Sequence, residues 1–291
     1  MTFHTVAIIG IGLIGSSLAR VLKARGLAER VVCCDSSADA RATALRLGIV
    51  DAAHATPEAA TVDADLTVIC TPTGAYAAVA QAIMPTLRPG AILSDVGSVK
   101  QAPIAAITPH LKPGVAYVPG HPVAGTENSG PASGFAELFE GRWAILTPPE
   151  GTDGAAVDRV QWMWQRAGSR VARMSADHHD RVLAITSHLP HLIAYTIVGT
   201  ATDLEDHLKG EVIKYSAGGF RDFTRIAASD PVMWRDIFLA NREAVLELLQ
   251  RFSEDLTALQ RAIRRGEGNT LEDLFTRTRA IRRSIIEAKQ A

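Results

Sequence analysis

Along the first 174 residues the apolar positions fall into short solid runs, separated by longer stretches with helical spacing. The runs are "TVAIIG", "RVVCCD", "DLTVICTP", "AILSDVGS", "VAYVPG" and "RWAILTPP". They are apolar throughout rather than alternating, as expected for strands buried on both faces. Between several of them lie alanine-rich stretches, 15–26, 38–47, 74–87 and 153–167, with apolar residues three and four apart. "SRVARM" at 169–174 reads as a last strand. Strand and helix in alternation predict an α/β, doubly wound parallel sheet covered by helices on both faces. After Met174 the pattern changes. Three segments, 177–201, 231–266 and 270–291, have helical periodicity and nothing reads as a strand. The expected organisation is a sheet domain over 1–174 and an all-α domain over 175–291, without internal repeats.

Composition narrows the partners. Thirty Lys and Arg against 31 Asp and Glu leave a formal charge of -1, which argues against nucleic acid and for a small molecule. Cys33, Cys34 and Cys70 all sit in strand-like runs, where they read as small buried side chains in a reducing compartment. The first strand begins too early to leave room for a secretion signal, and "LIAYTIVGTA" at 192–201 is too short to span a bilayer. A cytoplasmic protein with no membrane association is the expectation. The amphipathic helices of the second half would expose apolar surface if left alone, so a homodimer through that domain is expected. Arg277, Arg279, Arg282 and Arg283 read as a solvated face or a subunit contact.

The clearest chemistry is "VAIIGIGLIGSSLA", in which Gly10, Gly12 and Gly15 have G-x-G-x-x-G spacing between a strand and a helix. Gly10 permits the tight turn, Gly12 lets a pyrophosphate approach the backbone, and Gly15 lets helix and strand pack closely. Leu13 and Ile14 supply amides of the helix N-terminus, a ready anion site. This is the fingerprint of a Rossmann-type dinucleotide-binding sheet. Asp35 ends the next strand, placed either to accept hydrogen bonds from a ribose or to cap the following helix. Ser36 and Ser37 follow it rather than an arginine, which favours NAD over NADP. Thr71 and Pro72 in "CTPTG", and Gly97, Ser98 and Lys100 in "DVGSVK", end two further strands, where ligands of open α/β sheets bind.

"GHPVAGTENSG" at 120–130 reads as a loop built around His121. Histidine is the side chain best suited to take a proton from an alcohol near neutral pH, although a hydrogen-bonded turn histidine is equally consistent with the residues. "SHLPH" puts His188 and His191 three apart on a helix that Pro190 would kink. No glutamate accompanies them as in a zinc-protease helix, so no metal is expected. "GGFRDFTRIAASDPVMW" at 218–234 carries Gly218, Arg221, Asp222, Arg225, Ser229 and Trp234. An arginine there could clamp a carboxylate, or the stretch could be a polar loop before a helix with Trp234 in the core.

Together, "GIGLIGSSLA", "GSVK", "GHPVAGTENSG", "SHLPH" and "GGFRDFTRIAASDPVMW" resemble the prephenate/arogenate (cyclohexadienyl) dehydrogenase family, in order, from about residue 5 to about 245. The resemblance implies NAD(P)-dependent oxidative decarboxylation of a cyclohexadiene bearing a ring carboxylate and a 4-hydroxyl, a step of tyrosine biosynthesis. It implies that His121 accepts the hydroxyl proton, that Ser98 orients it, and that Arg225 binds a substrate carboxylate. His191 and His188 would line the pocket with Gly218, Ser229 and Trp234, the last reaching across from a second subunit. Glu127 would pair with Arg225 or Arg221 at the entrance. β-Hydroxyacid dehydrogenases share this plan but carry a catalytic lysine on the long interdomain helix, and residues 175–208 contain none. A dehydrogenase for 4-amino-4-deoxyprephenate and a non-catalytic NAD-binding sensor remain as alternatives.

Overall fold

The computed structural model describes residues 1–126, 128–203, 211, 214–215 and 218–287. These divide into two compact units, Met1–Arg242 and Glu243–Ala291. In the first, β1 (Phe3–Ile9), β2 (Ala28–Cys34), β3 (Ala52–His54), β4 (Leu66–Ile69), β5 (Ile92–Asp95) and β6 (Ala116–Val118) form a six-stranded sheet. Its order is β3-β2-β1-β4-β5-β6 and every pairing is parallel. The order reverses at β1, so the loops after β1 and β4 flank the crevice where such sheets bind ligands.

Alternate residues of each strand enter different cores, which is why the strands are apolar throughout. Val6, Ile8, Val31, Cys33 and Val68 pack on one face with α1 (Leu13–Ala24) and α6 (Gly154–Arg166). Ala7, Ile9, Val32 and Cys34 face the other side with α3 (Pro57–Thr61). Further along that face Ile69 and Leu93 meet α4 (Tyr76–Ile83) and α5 (Gln101–Ile107). Cys33 and Cys34 thus point to opposite faces, and burial pushes their thiols up to about 12 and about 11. Helix α2 (Ala38–Arg46) begins at Ser37, whose hydroxyl accepts from the Ala40 amide.

Two expectations are corrected. The runs around 142–149 and 169–174 do not extend the parallel sheet. As β8 (Trp143–Leu146) and β9 (Arg170–Arg173) they build a separate three-stranded sheet with β7 (Gly120–Pro122), in the order β7-β8-β9. His121 is therefore on a strand, opposite Ile145 in an antiparallel pair, rather than in a loop. Gly-His-Pro is tolerated because β7 is an edge strand, where a proline without an N–H costs no ladder bond.

After β9 the unit is helical: α7 (Ala176–Leu183), a wide π-helical turn (Ala184–His188) and α8 (Leu189–Thr202). Proline removes an amide and crowds the carbonyl four residues back, and the wide turn before Pro190 relieves both conflicts. The stretch Ala176–Ala201 is long and apolar enough, by length and composition alone, to cross a membrane. Here its inward face carries the buried polar residues His179, Asp180 and His188. Then come α9 (Gly218–Thr224), a 3-10 turn (Arg225–Ala228) and α10 (Pro231–Ala240). The helical run expected over 231–266 breaks at Asn241 before α11 (Arg242–Arg265), and α12 (Gly268–Glu287) completes the second unit.

Candidate active site

The glycine turn has the geometry its spacing demands. Gly10 sits at φ +97°, and a Cβ there would lie 2.8 Å from the Cys70 carbonyl oxygen. A Cβ on Gly15 would lie 2.1 Å from the Gly10 carbonyl oxygen. Around Gly12 a Cβ would meet nothing within 4 Å, so that side of the turn is open. Helix α1 starts there with no side-chain cap and no acidic residue in its first turn, leaving the Leu13 and Ile14 amides and the positive dipole end to a phosphate. These residues fit a dinucleotide.

Asp35 is not the cap of α2, since Ser37 is. Its carboxylate accepts from the Ile11 amide (2.9 Å) and the Ser37 amide (2.9 Å), which ties the turn after β2 to the glycine turn. An arginine does come close: Arg41, from α2, donates to the carbonyls of Asp35 (2.6 Å) and Ser36 (3.1 Å). The helix brings it back over six residues, which reading only the next two residues overlooks. At the end of β4, the Thr71 hydroxyl is buried without a hydrogen-bond partner, and Pro72 beside it is exposed.

Next along the sheet edge is a buried polar network. Asp95, at the end of β5, accepts from the Gly97 amide (2.8 Å), the Tyr117 hydroxyl (2.8 Å) and the Lys100 ammonium. Lys100 also donates to the Gly120 carbonyl (2.5 Å), one residue before His121. Both members of the Asp95–Lys100 pair are fully buried. Burial lowers the Lys100 pKa and the Asp95 charge opposes that shift.

From α7, Asp180 accepts from the Lys100 amide (2.7 Å) and the Gln101 amide (2.9 Å), and its Oδ1 lies 2.8 Å from His179 Nδ1. His179 Nε2 lies 2.8 Å from His121 Nδ1. These contacts fix the tautomers. A carboxylate only accepts, so neutral His179 carries its proton on Nδ1 and offers a lone pair at Nε2. His121 must then donate from Nδ1, which leaves its own Nε2 as a free lone pair. His121 is 7% exposed, and burial, followed by the His179, Lys100 and His188 charges, pushes its pKa well below the usual 6.5. A neutral imidazole with Nε2 open is a base.

A second group adjoins the first. Asn241 Nδ2 donates to the Asp180 carbonyl (2.8 Å) and lies 3.1 Å from His188 Nδ1. His188 is fully buried and burial lowers its pKa to about 4. His191 stacks on Trp234 with ring centroids 3.6 Å apart. Burial lowers the His191 pKa too, and the Arg225 charge adds to the shift. Trp234 packs with Val99 and Ile237 of its own chain. Ser229 is tied to α8 through its carbonyl, which accepts from the Tyr195 hydroxyl (2.8 Å). Ser98 is half-buried on the β5 loop, and Gly218 opens α9. Glu127 lies outside the described residues. Among the described residues no three or more His, Cys, Asp or Glu side chains come together as a metal site.

Sequence reasoning missed Asp95, His179, Asp180 and Asn241, and placed Lys100 in a ligand-flanking loop without seeing its buried pairing with Asp95. One signal was present: His179, Asp180, Leu183 and Ala184 share the buried face of one helical stretch, so two polar residues stand on an apolar face.

The fold and site define a two-part nicotinamide-dependent oxidoreductase. Comparisons with known proteins agree. The family model "Prephenate dehydrogenase, nucleotide-binding domain" matches residues 18–173, and "Prephenate dehydrogenase, dimerization domain" matches 175–277. The chain is 42% identical to a cyclohexadienyl dehydrogenase of Zymomonas mobilis, over 97% of this chain and 96% of that one. It is 33% identical to a prephenate dehydrogenase of Bacillus subtilis, over 93% of this chain and 72% of that one. A crystal structure of A. aeolicus prephenate dehydrogenase, in complex with hydroxyphenyl propionate and NAD+, superposes with a TM-score of 0.91 at 33% identity, over 98% of this chain and 99% of that one. This chain belongs to the prephenate dehydrogenase family. It is a dehydrogenase of tyrosine biosynthesis that uses a nicotinamide dinucleotide.

Proposed function

We propose that this enzyme oxidises and decarboxylates prephenate, arogenate or both, with NAD, to give 4-hydroxyphenylpyruvate or L-tyrosine. The observation that carries the reading is His121, held neutral with Nε2 open at the end of the Asp180–His179 chain. The bound nicotinamide supplies the hydride acceptor. His121 takes the proton of the 4-hydroxyl as hydride leaves C4, and the C1–carboxylate bond breaks so that its electron pair completes the aromatic ring. The proton then returns to the ring oxygen, which keeps the reaction in balance. General-base assistance of this kind is worth roughly 10² to 10⁴ in rate.

Ser98 hydrogen-bonds the same hydroxyl, and Arg225 holds a substrate carboxylate, a task suited to a cation that stays charged at any relevant pH. His188, His191, Gly218, Ser229 and Trp234 form the pocket wall. On the cofactor side Gly10, Gly12, Leu13, Ile14 and Gly15 take the pyrophosphate, Asp35 and Ser36 the ribose, and Thr71, Pro72 and Gly97 the nicotinamide end. The Asp35 carboxylate supports NAD, while the nearby Arg41 makes NADP the cofactor to test against it. The enzyme works as a cytoplasmic homodimer through its helical domain, supported by the matched dimerization-domain model and by a charge too balanced for nucleic acid.

The test is nicotinamide reduction with prephenate and arogenate, each with NAD and NADP, beside 4-amino-4-deoxyprephenate as the competing substrate. Turnover of prephenate or arogenate with NAD is expected. Turnover of the amino analogue alone, or of none of the three, would overturn the proposal.

A further inference from the structure

Asn241 interrupts the helical run between α10 and α11, with φ −111° and ψ 32°. Its side chain is buried, where an unpaired amide would be costly. The amide nitrogen Nδ2 lies 2.8 Å from the Asp180 carbonyl and 3.1 Å from His188 Nδ1. Those two contacts settle the chemistry on both sides. A carbonyl oxygen only accepts, so the amide presents its NH2 there and not its oxygen. One hydrogen goes to each partner, and His188 Nδ1 therefore carries a lone pair. A neutral imidazole has a single N–H, which must be on Nε2.

Nε2 is buried and has no hydrogen-bond partner. The Ser98 backbone favours the protonated ring. The Trp234 ring centroid lies 6.1 Å from that of His188.

We propose that Asn241 is a positioning residue that holds His188 as its Nε2–H tautomer. Ser98, whose backbone bears on this ring, belongs to the segment from Gly97 to Lys100. That segment anchors Asp180 through the Lys100 amide and Gly120 through the Lys100 ammonium. Through its second hydrogen bond Asn241 also fixes the main chain of Asp180, which orients His179. One buried amide stands behind both histidine branches. The kinetic consequence rests on the dehydrogenase reading above; the tautomer does not.

Long-range 1H–15N correlation spectra of the full-length protein, without substrate and at neutral pH, read the tautomer directly. His188 is assigned by the signals lost in His188→Gln. The expected spectrum has the proton on Nε2. Asn241→Asp puts an acceptor beside Nδ1 and is expected to move the proton there, lowering kcat by roughly tenfold or more while KM for the dinucleotide stays unchanged. A wild-type His188 protonated on Nδ1 overturns the proposal, as does a folded Asn241→Asp that keeps both the Nε2–H tautomer and the wild-type kcat. The wild-type spectrum decides even where the Asp variant does not fold. It also needs no turnover, so silence with every cyclohexadienyl substrate would strike the functional reading alone.

Discussion

The glycine turn and the histidine cluster sit along one sheet edge and are specified in opposite ways. In the turn, Gly10, Gly12 and Gly15 work through missing atoms: two could not carry a Cβ without striking backbone, and one leaves an open face. The cluster works through partners gathered from far along the chain, 58 residues between His121 and His179 and 80 between Lys100 and Asp180. The steric rules fall on glycines that stand within six residues of one another and so leave a motif. A hydrogen-bond network across the fold leaves single polar residues on apolar faces. The turn should therefore fail at cofactor binding, and the cluster at stability or at the proton-transfer step.

The largest effect that would sharpen this contrast is on stability. Lys100→Met leaves the Asp95 carboxylate buried without its cation, and breaking a buried pair in this way costs about 3–5 kcal/mol. Chemical denaturation should show that loss; a variant as stable as wild type would mean that the pair holds nothing. Next is His121→Asn, expected to lower kcat by roughly 10² or more with little change in KM. In the turn, Gly12→Ala should keep its folding stability, because the new methyl meets no protein atom within 4 Å. Its KM for the dinucleotide should nevertheless rise on the order of tenfold, equivalent to about 1.4 kcal/mol of lost contact. Gly15→Ala should also lose folding stability, because its methyl would overlap the Gly10 carbonyl. If the two alanine variants behaved alike, the assignment of separate roles to these glycines would fail.

A further effect is a pH dependence. His121, His179, His188 and His191 all have pKa values lowered by burial, so the unfolded chain binds protons that the folded chain does not. Stability supplied by the neutral rings is complete above the ordinary histidine pKa of 6.5 and is lost as pH falls below it, for His188 down to about 4. Thermal melts across that window should show the decline, and a flat profile would mean the rings are not held neutral.

The sequence made the dinucleotide turn legible because its three glycines stand together in one short motif, and it made the strands legible because both faces are buried. His121 stood out through its glycine and proline neighbours, although those neighbours disguised an edge strand as a loop. Asp180 and Asn241 were illegible for a physical reason: their importance lies in the carbonyls, amides and imidazoles they meet, which only the fold brings near. Arg41 shows the same limit on a shorter scale, since one turn and a half of helix carries it back to Asp35.

The central claim is that a neutral His121, with Nε2 open, takes the substrate proton. The most direct measurement is kcat/KM against pH for wild type and for His121→Asn, with whichever substrate turns over. The account predicts a wild-type acid limb below pH 6.5, where the buried ring finally protonates, and loss of that limb together with most of the rate in the asparagine variant. An asparagine variant that kept the wild-type rate and the same acid limb would contradict it.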